Sequence, residues 1–119
     1  MNNISFQEYQ TIISEYTNES PCPVRNTMEI FQKKWSIQII FELSKKENVR
    51  FGELKKSLGG ITNTMLTTAL KDLEEKGLII RTQFNEIPPH VEYSLSEAGQ
   101  NLYPVFMAMA DWGEKYLNL

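Results

Sequence analysis

Apolar residues recur every three or four positions in two neighbouring stretches in the middle of the chain, and a two-residue alternation follows them. Phe51, Leu54 and Leu58 lie at helical spacing, with Lys55 and Lys56 on the other side. Gly59-Gly60 ends this helix, because glycine accepts the left-handed conformation that a helix C-terminus often needs. Thr62 is suited to cap a second helix. That helix runs to Lys76, roughly 22 Å at about 1.5 Å per residue, and Gly77 closes it. Met65, Leu66, Ala69, Leu70 and Leu73 form its apolar stripe. The opposite face carries Asn63, Thr64, Thr67, Thr68 and Lys71, which are mostly small and rich in hydrogen-bonding groups. Two helices around a tight turn over residues 50–76 make a helix-turn-helix pattern, and the second has the face of a groove reader. Helix pairs of this kind also occur in domains that bind no nucleic acid.

Beyond Gly77 the period changes. Ile80, Thr82 and Phe84 alternate with Arg81 and Gln83, then Val91, Tyr93 and Leu95 alternate with Glu92 and Ser94. This predicts two strands joined by the loop Asn85–His90, which holds two prolines. A helix-turn-helix followed by such a hairpin is a winged helix. Ser96 caps a last helix to about Tyr116, with a kink expected at Pro104. Its apolar positions spread over more than one face, more than one side of a small domain needs.

The part before the helix-turn-helix is also helical. Phe6, Tyr9, Ile12, Ile13 and Tyr16 share one face of a helix over residues 5–17, with Ser5 as N-cap and Glu8 completing a capping box. This helix packs either on its own domain or on a second subunit. Pro23 opens a further helix, with Cys22 at the cap and Val24, Met28 and Phe31 on the apolar side. Residues 35–44 are apolar nearly all round and read as the buried central helix, followed by the solvated loop Lys45–Asn48. Surplus apolar surface at both termini argues for a homodimer.

With 119 residues the chain suits one domain, and it has no apolar run long enough to span a membrane. No secretory signal is visible at the N-terminus. The single cysteine excludes an internal disulfide, zinc-site spacing is absent, and a reducing cytoplasm fits. The net charge of −3 is unpromising for a DNA-binding protein, but its distribution matters more. Residues 22–49 hold five bases against three acids and residues 50–84 six against four, while both termini are acidic. One side is thus suited to face DNA. No paired acid–base constellation and no phosphate-cradling glycine loop is present, so the chain is not expected to be an enzyme, and no catalytic residue, cofactor or metal site is assigned.

The ordered set Cys22-Pro23-Val24, Lys34-Trp35, Arg50-Phe51-Gly52-Glu53-Leu54, Gly60-Ile61, Met65-Leu66-Thr67, Leu70–Glu74, Gly77-Leu78-Ile79, Pro88–Leu95, Gly99 and Trp112-Gly113 resembles the HxlR-type family of bacterial transcription regulators, which are MarR-like winged-helix dimers. The match covers about residues 22–115. Two departures stand out: Gln32-Lys33 replaces a usual pair of glycines, and His90 stands where Arg or Lys is frequent. The resemblance implies a dimer formed largely by the terminal helices, two recognition helices in successive major grooves, and, in some members, an oxidant- or electrophile-sensing cysteine at the position of Cys22.

The sequence therefore predicts a mainly α fold with a small β-hairpin wing, a winged helix-turn-helix. Residues 1–21 form an N-terminal helix and linker for dimerisation, 22–95 the DNA-binding core, and 96–119 a C-terminal helix for dimerisation. The expected function is sequence-specific, homodimeric, cytoplasmic transcriptional regulation on double-stranded DNA, with no membrane partner and no identified small-molecule effector. The alternative is a winged-helix protein-interaction module without DNA binding. Asn63, Thr64, Thr67, Thr68 and Lys71 are the groove-facing candidates. Arg50, Lys55, Arg81 and His90 are candidates for phosphate contact, His90 being otherwise a solvated loop residue. Cys22 is the candidate redox sensor. The helix N-terminus and Arg25 favour its thiolate, whereas enclosure by Val24 and Trp35 would make it a small core residue.

Overall fold

The computed structural model describes residues 3–118. Met1, Asn2 and Leu119, the outermost residues of the two expected terminal segments, lie outside the described residues. The chain forms two compact units, one up to Lys33 and one from Lys34.

In the first unit α1 spans Phe6–Ser14, with the Ser5 hydroxyl accepting from the Glu8 N–H at 3.1 Å. None of its residues is buried, and Phe6, Tyr9 and Ile12 are exposed. The helix stops before residue 17 because a turn takes over: the Ser20 hydroxyl accepts from the Thr17 N–H at 2.7 Å. The Arg25 guanidinium reaches back to the Thr17 and Ser20 carbonyls at 3.1 and 3.4 Å. α2 spans Pro23–Gln32, with Pro23 in its first turn and Cys22 as N-cap.

The second unit holds α3 (Ser36–Leu43), β1 (Val49–Arg50), α4 (Phe51–Leu58), α5 (Asn63–Glu75), β2 (Ile79–Phe84), β3 (His90–Leu95), α6 (Glu97–Gln100) and α7 (Tyr103–Tyr116). The strands form one antiparallel sheet in the order β1-β3-β2. The core draws one stripe from each of three helices: Ile39, Ile40 and Leu43 from α3, Leu54 and Leu58 from α4, and Leu66, Leu70 and Leu73 from α5. Val49, Ile79, Tyr93 and Leu95 close it from the sheet. This is a mainly helical fold with a small three-stranded antiparallel sheet, a winged helix-turn-helix.

Four local expectations need correction. The short strand β1 was not predicted; its two residues are strand-like only through pairing with Tyr93 and Glu92 of β3. The alternation in β2 runs in the other phase. Ile79 pairs with Leu95 and is buried, whereas Ile80 pairs with Ser94 and is half-exposed, because facing strands must share the core side. Met65 leaves the apolar stripe and is 42% exposed. Finally, the last helix does not kink at Pro104 but breaks before it. α6 ends at Gln100, and α7 restarts at Tyr103 with the proline in its first turn, where a missing N–H costs nothing.

The break leaves α6 stapled to the turn after α5. Ser96 caps α6 by accepting from the Gly99 N–H at 3.1 Å and donates its own hydroxyl to the Gly77 carbonyl at 2.6 Å. The Ser96 N–H bonds the Leu78 carbonyl at 3.1 Å. A Cβ at Gly99 would collide with that same carbonyl oxygen.

Candidate nucleic-acid interface

The outward face of α5 depends on how the preceding turn is built. α4 buries Leu54 and Leu58 and ends at Gly59 (φ 51°) and Gly60 (φ 85°), backbone angles in the left-handed region that favours glycine. Ile61 is then buried, anchoring the turn. The Thr62 hydroxyl accepts from the Met65 N–H at 3.1 Å and starts α5. Leu66, Leu70 and Leu73 fix the rotation of α5 by being buried. At about 100° per residue, Thr64, Thr68 and Lys71 then point within about 50° of straight outward. Thr67 lies on the flank, and Asn63 sits at the first turn nearer the core side, yet all five are exposed. Glu75 shares the outward direction at the far end. The neutral and basic surface is thus confined to the N-terminal two and a half turns, the part a helix entering a groove presents.

The four phosphate candidates do not share one surface. Lys55 is half-buried on α4. Arg50 belongs to β1 and is the N-cap of α4, where its backbone N–H donates to the Glu53 carboxylate at 3.4 Å. Strand register puts Arg50 beside Glu92, on the sheet face that also carries Thr82 and His90. Arg81 pairs with Tyr93, so it lies on the opposite face, beyond the buried Ile79 and Leu95.

His90 is a strand residue, not a loop residue. Its ring stacks on Phe84, with centroids 4.7 Å apart and planes 12° off parallel. Its Nε2 lies 2.9 Å from a Glu92 carboxylate oxygen and its Nδ1 3.7 Å from Glu86. The alternation rule could have revealed this, since His90 continues the outward-facing set Glu92 and Ser94. No Lys or Arg occurs between Arg81 and Lys115, so the wing is acidic. Its tip carries Ile87, fully exposed. Sequence reasoning also missed Met65 as part of the exposed first turn of α5; its apolar character alone had placed it in the core.

Cys22 combines both features weighed for it. Its Sγ accepts from the Arg25 N–H at 3.5 Å as a helix cap, and the residue is only 5% exposed. Val24, however, is exposed rather than enclosing it. The Arg25 side chain is committed to the Thr17–Ser20 turn. Among the described residues no cluster of His, Cys, Asp or Glu is arranged to hold a metal, and no helix is long and apolar enough to cross a membrane.

The sequence model of the HxlR-like helix-turn-helix family matches residues 30–119. An uncharacterized HTH-type transcriptional regulator of Bacillus subtilis, YdeP, is 44% identical over 95 residues, covering 80% of this chain and 73% of the relative. A solved structure described as a transcriptional regulator of the MarR family from Porphyromonas gingivalis superposes with a TM-score of 0.77 at 40% identity, covering 86% of this chain and 99% of the other. The redox regulator HypR in its oxidized form superposes with a TM-score of 0.70 at 36% identity, covering 79% of this chain and 96% of the other.

Proposed function

The chain belongs to the HxlR-like helix-turn-helix family of transcriptional regulators, which are not enzymes, and from that premise we propose that it is a homodimeric, sequence-specific DNA-binding regulator of the cytoplasm. The observation that carries this reading is the α5 face. A capped helix, rotationally fixed by three buried leucines, presents Thr64, Thr68 and Lys71 outward with Asn63 and Thr67 beside them. Lys71 and Asn63 hydrogen-bond base edges, and the threonine methyls meet thymine methyls. Arg81, on the sheet face that continues from the core, contacts backbone phosphate and positions the helix. Arg50 and Lys55 play the same part at the start of the helix-turn-helix. His90 is the weakest of the four, since two carboxylates already face its ring nitrogens.

The exposed apolar faces of α1 and α7 supply the dimer contact. Phe6, Tyr9 and Ile12 on one and Tyr103, Met107, Trp112 and Tyr116 on the other are too much apolar surface for a monomer to leave in water. Cys22 is the redox input of the reading, supported by its cap geometry and by the structural likeness to the redox regulator HypR. With one cysteine per chain, oxidation ends in an intersubunit disulfide, a mixed disulfide with a small thiol, or overoxidation. The test is selection of bound duplexes from a random pool, followed by titration of the enriched site. Recovery of a palindromic site whose half-sites lie about one helical turn apart, or a multiple of it, is expected; a pool that stays unenriched would count against the reading.

A further inference from the structure

α5 ends in a turn that moves with it. The Gly77 N–H donates to the Glu74 carbonyl at 2.9 Å and the Leu78 N–H to the Leu73 carbonyl at 3.0 Å. Gly77 takes φ 76°, and Leu78 is buried. This closure folds the chain back onto the last turn of α5 and satisfies carbonyls that a helix end leaves free. Gly77 and Leu78 are therefore a stiff extension of α5. Whatever is fastened to them is fastened to α5.

Ser96 supplies the fastening. Its hydroxyl donates to the Gly77 carbonyl at 2.6 Å while accepting from the Gly99 N–H at 3.1 Å, so one oxygen joins the end of α5 to the start of α6. The Leu102 N–H then donates to the Gly99 carbonyl at 3.2 Å, and Leu102 is the N-cap of α7. Along its own length α7 is held lightly. Of its 14 residues only Gly113 is buried, and an open groove lined by Ile37, Phe41, Met109 and Ala110 lies between α7 and α3. Its direction is thus set at its root. At about 1.5 Å per residue α7 is roughly 21 Å long, so a swing of about 10° at the root displaces its far end by roughly 4 Å, more than the ~3.4 Å between base pairs.

We propose that Ser96 is a positioning residue that fixes the angle between α5 and α7, and through it the half-site spacing the protein accepts on DNA. The angle stands on the geometry alone. The spacing rests on the homodimeric DNA-binding reading above, in which α7 joins the copies and α5 reads each half-site. Capping α6 and holding the joint are separable roles of one hydroxyl. A cap needs only an acceptor oxygen, whereas the bond to Gly77 needs the hydroxyl proton. Ser96→Asp keeps a capping oxygen but has no proton for the Gly77 carbonyl, Ser96→Thr keeps both, and Ser96→Ala keeps neither.

The experiment places spin labels at two exposed positions of the full chain, Glu75→Cys at the end of α5 and Lys115→Cys on α7, with Cys22→Ser as background. Labelled chains are diluted with unlabelled chain, so that pulsed dipolar spectroscopy without DNA reads the distance within one copy. One narrow distance distribution is expected with Ser96 and with Ser96→Thr. Ser96→Ala should broaden or shift it, and so should Ser96→Asp, which stays folded because its cap remains. An unchanged distribution in Ser96→Asp would overturn the proposal, since the hydroxyl would then be a cap and nothing more. Duplex titrations address spacing separately. The natural chain should prefer the selected site by about tenfold over one with an extra base pair between the half-sites, because a second contact adds strongly only where both can engage. Ser96→Ala and Ser96→Asp should cut that preference to about twofold while binding an isolated half-site as the natural chain does. Altered distances with an unchanged spacing preference would overturn the spacing half. A natural chain that binds no duplex removes the DNA reading, whereas the label distances still decide the joint.

Discussion

Lys71 and Arg81 carry the same charge but are expected to fail differently. Lys71 lies on the outward face of α5, where loss of a base contact costs about 1–3 kcal/mol of discrimination. Lys71→Ala should therefore weaken the selected site while sparing unrelated duplexes. Arg81 lies on the wing, on the core-side face of the sheet, and in the proposed reading its partner is phosphate. Arg81→Ala should weaken all duplexes alike and make affinity less steeply dependent on salt. Anisotropy titrations of both variants on specific and scrambled duplexes separate the two roles; a reversed pattern would exchange them. At Cys22, alkylation and mild oxidation should change duplex affinity in the natural chain and leave Cys22→Ser unaffected. Oxidation-insensitive binding by the natural chain would make Cys22 a structural cap only.

Elements were legible where the cause lies within a few residues. Ser5, Cys22 and Thr62 cap the helices their positions predicted, and Ser96 caps a helix that ends at Gln100 rather than near Tyr116, because a cap needs only its own side chain and an N–H three residues on. Gly59, Gly60 and Gly77 likewise take the positive φ that a helix end asks for. The misses have distant causes. Strand β1 exists because β3, more than forty residues later, pairs with it, and no local pattern shows that. The phase of β2 is set by register with β3, and two neighbouring isoleucines gave the sequence no way to choose between them. Of the five α5 candidates, Thr64, Thr68 and Lys71 share the outward face that the buried leucines fix, whereas Thr67 lies on the flank and Asn63 nearer the core side. The phosphate candidates rest on charge for Arg50, Lys55 and Arg81 and on wing position for His90, and they are scattered over α4 and both sheet faces.

One element has a testable weak point. α6 is held against the Gly77-Leu78 turn so closely that only glycine fits at residue 99. Gly99→Ala should destabilise by about 1–3 kcal/mol through overpacking against backbone, although alanine is the better helix former. Thermal or urea unfolding of the variant checks this, and an unchanged midpoint would mean that α6 moves aside freely. Leu70→Ala, emptying a fully buried position of α5, should cost about 2–5 kcal/mol.

For the whole molecule, the exposed apolar faces of α1 and α7 predict a dimer at micromolar concentration, measurable by sedimentation. Removing residues 1–18 should weaken that dimer. It should also lower duplex affinity, because two half-site contacts held together bind far more tightly than either alone. The acidic wing and termini should keep non-specific DNA affinity modest, so that discrimination comes from α5.

The most direct test of the DNA reading is titration of the selected duplex with the natural chain and with a Thr64, Thr68 and Lys71 triple alanine variant, over a series of salt concentrations. These side chains are exposed, so the variant should keep its fold. The reading predicts tight, salt-dependent binding by the natural chain. It also predicts loss of preference for the selected site in the variant, which should retain only the weak, salt-sensitive affinity it shows for any duplex. A folded variant that still prefers the selected site would show that α5 is not the element that reads DNA.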